Sequence, residues 1–151
     1  MPIRETPLDE RGWEDEIYDL LVSYAVQYDA RDIEGIVNNF SPNASYVSYL
    51  GKFSGEIEIR QNFEELLAKF ERSMHFITNL TLRKISSSLV GAASYMQAFV
   101  VPKDGPAYCL GGLYHDRIEK HGSEWKIQER TVTDGLVFRL ELMEPESRLR
   151  H

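Results

Sequence analysis

Residues 73–135 read SMHFITNLTLRKISSSLVGAASYMQAFVVPKDGPAYCLGGLYHDRIEKHGSEWKIQERTVTDG, and this stretch decides the fold. Four β-rich segments, near 73–85, 89–102, 106–120 and 123–135, are separated by turn signals at Ser86-Ser87-Ser88, Pro102 to Pro106 and His121-Gly122. Consecutive long strands joined by short turns predict a curled antiparallel sheet, one face of which must be covered by whatever precedes it.

What precedes it is mostly helical. From Trp13, the residues Ile17, Leu20, Leu21, Tyr24 and Tyr28 recur at helical spacing, with Asp15, Asp19, Ser23 and Gln27 between them, predicting an amphipathic helix that ends near Asp29. Asp32 stands before Ile33-Glu34-Gly35-Ile36-Val37 as the N-cap of a short second helix that stops at Asn38-Asn39. A strand is expected over Ala44–Leu50 and a second, short one between the turn residues Gly51 and Gly55. The spacing of Ile59, Phe63, Leu66, Leu67 and Phe70 predicts a third helix over about Glu56–Arg72. The fold class is therefore α+β: a cone-shaped, curled antiparallel or mixed sheet covered by about three N-terminal helices, in the order α-α-β-β-α-β-β-β-β. Residues 1–12 read as an arm, 13–135 as the domain, and 136–151 as a tail whose apolar residues reach over the cone mouth or a neighbouring chain.

A chain of 151 residues suits one domain, and a domain of that size buries roughly 68–70% of the surface its unfolded chain exposes. The lone Cys109 can close no internal disulfide, so the expected compartment is reducing and the expected location cytoplasmic. The first sixteen residues lack an apolar signal core, and no later run has the roughly 18 apolar residues of a membrane span. A formal net charge of −7 without a basic stripe weighs against nucleic acid and anionic membranes. The expected partner is a hydrophobic small molecule. His115 and His121 have no companion at metal-ligand spacing, Gly111-Gly112 lies within a strand rather than a phosphate loop, and Cys109 has no activating base nearby in sequence, so no metal or other cofactor is expected.

Several local strings, in this order, resemble the SnoaL-like branch of the nuclear transport factor 2-like superfamily. They are Tyr24-x4-Asp29 with Arg31-Asp32, Phe40-Ser41-Pro42-Asn43-Ala44, His75-Phe76-Ile77-Thr78-Asn79-Leu80, Gly112-Leu113-Tyr114-His115-Asp116, and Trp125-Lys126-Ile127 with Arg130. Within that branch the chain resembles the lyases: scytalone dehydratase, bile-acid 7α-dehydratase and hexachlorocyclohexane dehydrochlorinase. The resemblance implies that Asp29 orients His75 and that His75 removes a proton from substrate carbon. A second histidine of the scytalone dehydratase type is missing, the matching positions being Met96 or Gln97.

Residue chemistry agrees with the implied roles and supplies a bland alternative for each. An imidazole suits general-base work, and a carboxylate on its second nitrogen fixes the tautomer; otherwise His75 is a packed core histidine and Asp29 a solvated partner of Arg31. An acid at a helix C-terminus opposes the helix dipole, which favours another purpose for Asp29. Tyr24 can polarise a carbonyl, or simply pack. Arg130 can stabilise a leaving group or enolate, or form a cross-strand ion pair. Alternation places His75 with Ile77, Asn79 and Thr81, and Arg130 with Lys126, Gln128 and Val132, opposite Trp125, Ile127 and Glu129. Candidate walls are Tyr46, Tyr49, Phe53, Met96, Phe99, Tyr108 and Tyr114. The expected function is a cofactor-independent lyase or isomerase acting on an apolar cyclic molecule. The alternatives are a polyketide cyclase-like enzyme or a non-catalytic binding or assembly module, and a homodimer or homotrimer is expected in either case.

Overall fold

A computed structural model describes residues 12–141. The expected arm, apart from Gly12, and Leu142 onward lie outside those residues. Helix α1 spans Trp13–Asp29, α2 Ile33–Asn38 and α3 Gly55–Ala68; the strands are β1 Phe40–Ser48, β2 Gly51–Ser54, β3 Phe70–Ser86, β4 Leu89–Pro102, β5 Tyr108–His121 and β6 Glu124–Arg139. Their order is the one the sequence predicts. The strands form one mixed sheet, β2-β1-β6-β5-β4-β3, in which only the β1–β6 pairing is parallel. The sheet curls without closing and the helices pack on its inner face, giving the α+β cone.

The helical stripe of α1 buries Ile17, Leu21, Tyr24, Ala25 and Tyr28, and each of the larger apolar side chains stabilises the fold by about 1.5–3 kcal/mol. Glu14, Asp15 and Glu16 occupy the first turn, where the positive end of the helix dipole favours them. Glu16 also accepts a hydrogen bond from Trp125 Nε1 at 2.8 Å, tying α1 to β6. Asp32 caps α2 by accepting from the Gly35 amide at 3.0 Å.

Several boundaries differ from expectation. Helix α3 ends at Ala68, and Phe70, whose spacing suits the helix, opens β3 opposite Pro102. The Arg31 guanidinium donates to the carbonyl oxygens of Leu67 and Phe70, satisfying groups that the helix end leaves free. Strand β1 begins at Phe40, four residues early, and its register with β6 shifts between Phe40 and Ser45, a stretch in which Pro42 has no amide to give. At the other end β6 continues past Gly135, and Arg139 still pairs with Tyr108.

Three irregularities shape the inner face. In β3 the register shifts between Thr78 and Thr81, where Asn79 is left-handed at φ 52°. The bulge switches the strand's phase, so Ser73, His75 and Ile77 point inward before it and Leu80 and Leu82 after it. Strict alternation had separated His75 from the leucines and grouped it with Asn79, which is exposed. In β6, Ile118 pairs with Ile127 but Arg117 with Glu129, so Gln128 is extra, and Trp125, Ile127 and Arg130 are all buried. Alternation had placed Arg130 opposite the other two. The third shift lies at Gly111/Gly112, where a Cβ on Gly112 would stand 2.7 Å from the Thr133 carbonyl oxygen and one on Gly135 2.8 Å from that of Gly111. Only glycine permits this approach.

The outer face carries exposed apolar side chains, among them Met74, Phe76, Tyr95 and Phe99. Phe99, expected as a cavity wall, packs edge-on against Phe76 there, with centroids 6.1 Å apart. Its place in β4 is out of phase with the inward Met96, Ala98 and Val100.

Candidate active site

The end of α1 meets the middle of β3. Arg31, the nearest cation in sequence to Asp29, is engaged by the carbonyl oxygens of Leu67 and Phe70. The Asp29 carboxylate turns instead to β3, where Oδ1 accepts from Ser73 Oγ at 2.8 Å and lies 2.6 Å from His75 Nδ1, while Oδ2 accepts from the His75 amide at 2.7 Å. Burial pushes the Asp29 carboxyl up, but the hydrogen bonds from His75 and Ser73 outweigh it and hold the group below its ordinary value. An ionised carboxylate only accepts, so in the neutral imidazole Nδ1 carries the proton and Nε2 keeps its lone pair. The His75 side chain is 6% exposed and that of Asp29 24%. The Tyr28 ring covers the imidazole, with centroids 4.4 Å apart.

His75 borders a cavity of about 350 Å³ inside the cone. Tyr24, Tyr46, Tyr49, Met96, Tyr108 and Tyr114 border the same space, with Val100, Leu110 and Val132 adding apolar surface. Phe53 does not reach it and packs behind Tyr46, with centroids 6.4 Å apart. From the expected tail, Val137 reaches the cavity while Leu136 and Phe138 flank a groove on the outer face.

Arg130 lies behind the wall. It is completely buried and pairs with Asp116, its cross-strand neighbour, through Nε and Nη2 at 2.7 and 2.8 Å. Its guanidinium carbon sits 4.3 Å from the Tyr24 ring centroid and 4.1 Å from that of Tyr114, in the corner between two perpendicular rings. Burial opposes the charge, but Asp116 outweighs burial and keeps the guanidinium protonated, its pKa above the ordinary value. Arg130 is absent from the cavity wall, so the expected contact with a leaving group gives way to a cross-strand ion pair in contact with two wall tyrosines.

Burial also raises the phenols. Tyr28, Tyr46 and Tyr114 are pushed well above the ordinary value, whereas at Tyr24 burial is opposed by the Arg130 charge and the rise is smaller. Three contributors were missed by sequence reasoning. Ser73 sits two residues before His75 on the same strand face and could have been found by that spacing; Tyr28 was read only as part of the helical stripe, and Asp116 only as part of a string. Among the described residues no group of His, Cys, Asp or Glu is placed to hold a metal ion, and no helix is long and apolar enough to cross a membrane.

The family model of the SnoaL-like domain matches residues 12–131. The chain belongs to the SnoaL-like family. Solved structures share this SnoaL-like fold over nearly the whole chain. Hexachlorocyclohexane dehydrochlorinase type 3 from Novosphingobium barchaimii LL02 superposes with a TM-score of 0.81 at 17% identity, covering 93% of this chain and 100% of that one. A candidate scytalone dehydratase from Novosphingobium aromaticivorans gives 0.79 at 17% identity over 86% and 89%. A protein of unknown function from Mycobacterium tuberculosis gives 0.73 at 19% over 82% and 78%. At these identities the likeness establishes the fold alone. No functionally curated protein matches the sequence significantly.

Proposed function

We infer that this SnoaL-like protein is a cofactor-independent lyase or isomerase that removes a proton from carbon on an apolar cyclic small molecule. The observation that carries this reading is the Asp29–His75 pair, 2.6 Å apart, with the imidazole bordering a cavity. A carboxylate on Nδ1 leaves Nε2 as the base and stabilises the imidazolium formed when it takes the proton. The electron pair of the broken C–H bond then forms a double bond, either expelling water or another small leaving group or generating an enolate. Dehydratase and dehydrochlorinase among the structural neighbours are in keeping with the elimination branch.

A purely assembling module has no need of such a pair, and its cone would be filled by side chains. The cavity of about 350 Å³ falls within the range of small-molecule sites, which favours the enzyme reading. The apolar outer face suits a second copy of the chain, forming a homodimer or homotrimer in the cytoplasm; light scattering on the purified protein would read the mass, and a monomer at micromolar concentration would remove that expectation.

The functional test is a panel of cyclic ketones, enones and hydroxyketones incubated with the protein in D₂O and followed by NMR for loss of C–H signal and appearance of alkene. Turnover that disappears in His75→Ala supports the reading. Turnover retained by the purified, folded variant removes His75 from the mechanism.

A further inference from the structure

A second hollow adjoins the cavity. It is open, measures about 560 Å³ and lies between the α3–β3 turn and the β4–β5 loop; Phe70 and Tyr108 border both spaces. Backbone pairing fixes its shape. Phe70 stands opposite Pro102 across β3 and β4, and the Lys103 amide donates to the Lys69 carbonyl oxygen at 2.9 Å. That bond sets two lysines side by side, and both border the hollow. Both are exposed, and among the described residues neither ammonium has a hydrogen bond or an ion pair. The turn that carries Lys69 is the C-terminal end of α3, whose free carbonyls ordinarily repel anions. Here Arg31 donates to the carbonyl oxygens of Leu67 and Phe70 and covers that end with a further cation. Asp104 borders the hollow as well, so cations outnumber acids there among the described residues. Tyr49 and Leu50 border the cavity although they are 77% and 43% exposed, so the apolar lining runs out of the cone to its surface.

We propose that Lys69 and Lys103 form a subsite for a carboxylate or similar anionic group, carried at the end of an apolar arm whose ring occupies the cone. Among the described residues no lysine or arginine borders the cavity itself, and an anion taken into such a space loses its hydration without a counter-charge. The anion therefore stays outside the cone, in water, beside the two ammonium groups. Phe70 precedes His75 by five residues on β3, about 16 Å at strand spacing, so the anion lies well away from the reacting carbon. This rests on the cavity reading above and narrows its substrate class to a cyclic compound with an anionic side arm. No bond is made or broken at the lysines; they hold the arm, and through it the ring, in one orientation.

The test compares two probes that differ only in charge. Dansylaminoundecanoic acid is a fused ring on an apolar arm with a terminal carboxylate, and its methyl ester is the same molecule without the charge. Each is titrated against the full chain at neutral pH and low salt, with dansyl fluorescence as the readout. Wild-type protein should bind the acid about fivefold more tightly than the ester, the size expected of two solvent-exposed ion pairs. In Lys69→Gln/Lys103→Gln the affinity for the acid should fall to that for the ester, while the ester is unaffected. Raising the salt concentration by about tenfold should weaken the acid alone. Both substitutions lie on exposed side chains and leave the Lys103 amide in place, so the loop stays tied to the turn. Equal affinities for acid and ester in wild-type protein overturn the proposal. So does a double variant that loses both probes equally or neither, and so does the lack of saturable binding of the acid at micromolar concentrations. Binding is read without turnover, so a failed probe comparison and a failed His75→Ala experiment remain distinct.

Discussion

Two carboxylates hold two cationic-type side chains on the inner face of this cone, and they are built to opposite ends. Asp29 meets His75 where the last residue of α1 touches β3, at the edge of the cavity, with the carboxylate 24% and the imidazole 6% exposed. Asp116 meets Arg130 between neighbouring strands, and both side chains are sealed from solvent. The first pair contains an imidazole that borders the cavity. The second contains a permanent cation that cannot be deprotonated, wrapped by aromatic rings. A cation that only exerts a field can be buried completely, whereas a base must keep one nitrogen available. The base role proposed for His75 is in keeping with the greater exposure of its pair.

Substitutions can break the comparison. The largest expected effect is that of His75→Ala, which should lower turnover of a processed substrate by about 10²–10⁴-fold or more without loss of the far-ultraviolet circular dichroism spectrum. A folded variant with normal turnover would leave the cavity-edge pair without a catalytic task. Next comes Arg130→Met, which strands the Asp116 carboxylate in a sealed site and should cost about 3–5 kcal/mol in urea denaturation, with Asp116→Leu/Arg130→Met recovering much of the loss. Equal losses in the single and double variants would show that packing, rather than the stranded charge, sets the cost. Asp29→Asn comes third: it leaves the shape but removes the charge that stabilises the imidazolium, so kcat should fall by roughly 10²-fold, less completely than for His75→Ala.

The smallest effect concerns pH and sharpens the contrast between the pairs. The Asp29 carboxyl is held below its ordinary value in the folded protein, so the folded state binds the proton less readily than the unfolded one. Its contribution to stability is full above the unfolded value near 3.8 and is lost as pH falls through the lower folded value. Urea midpoints of wild-type and Asp29→Asn protein should therefore differ near neutrality and converge in acid. A gap that widens in acid would mean that the carboxylate is destabilised by its surroundings.

Much of the fold was legible because it rests on local periodicity. The stripe Ile17-Leu21-Tyr24-Tyr28 predicts a helix from Trp13 to near Asp29, as α1 is, and Asp32 declares the start of α2. Legibility failed where one local signal competed with a distant contact. Phe70 suits the spacing of α3, yet pairing with Pro102 takes it into β3. Bulges at Asn79 and Gln128 broke the alternation and changed which residues share a face with His75 and Arg130. A bulge is one surplus residue opposite a partner strand, and it exists only in the pairing, which sequence alternation cannot register.

The sequence by itself determined the α+β class, the order of elements, and the residue types able to form a base and its orienting acid, since propensity, period and side-chain chemistry are properties of short segments. Tertiary structure alone decided that Arg31 turns to α3 and leaves Asp29 to His75, that Ser73 and the His75 amide complete the carboxylate's shell, and that Arg130 enters the core to meet Asp116 and two tyrosines. Each of these outcomes is a choice among partners distant in sequence. Such a choice is settled only when the curled sheet and its helices bring some of them within about 3 Å, the reach of a hydrogen bond, and place others out of range.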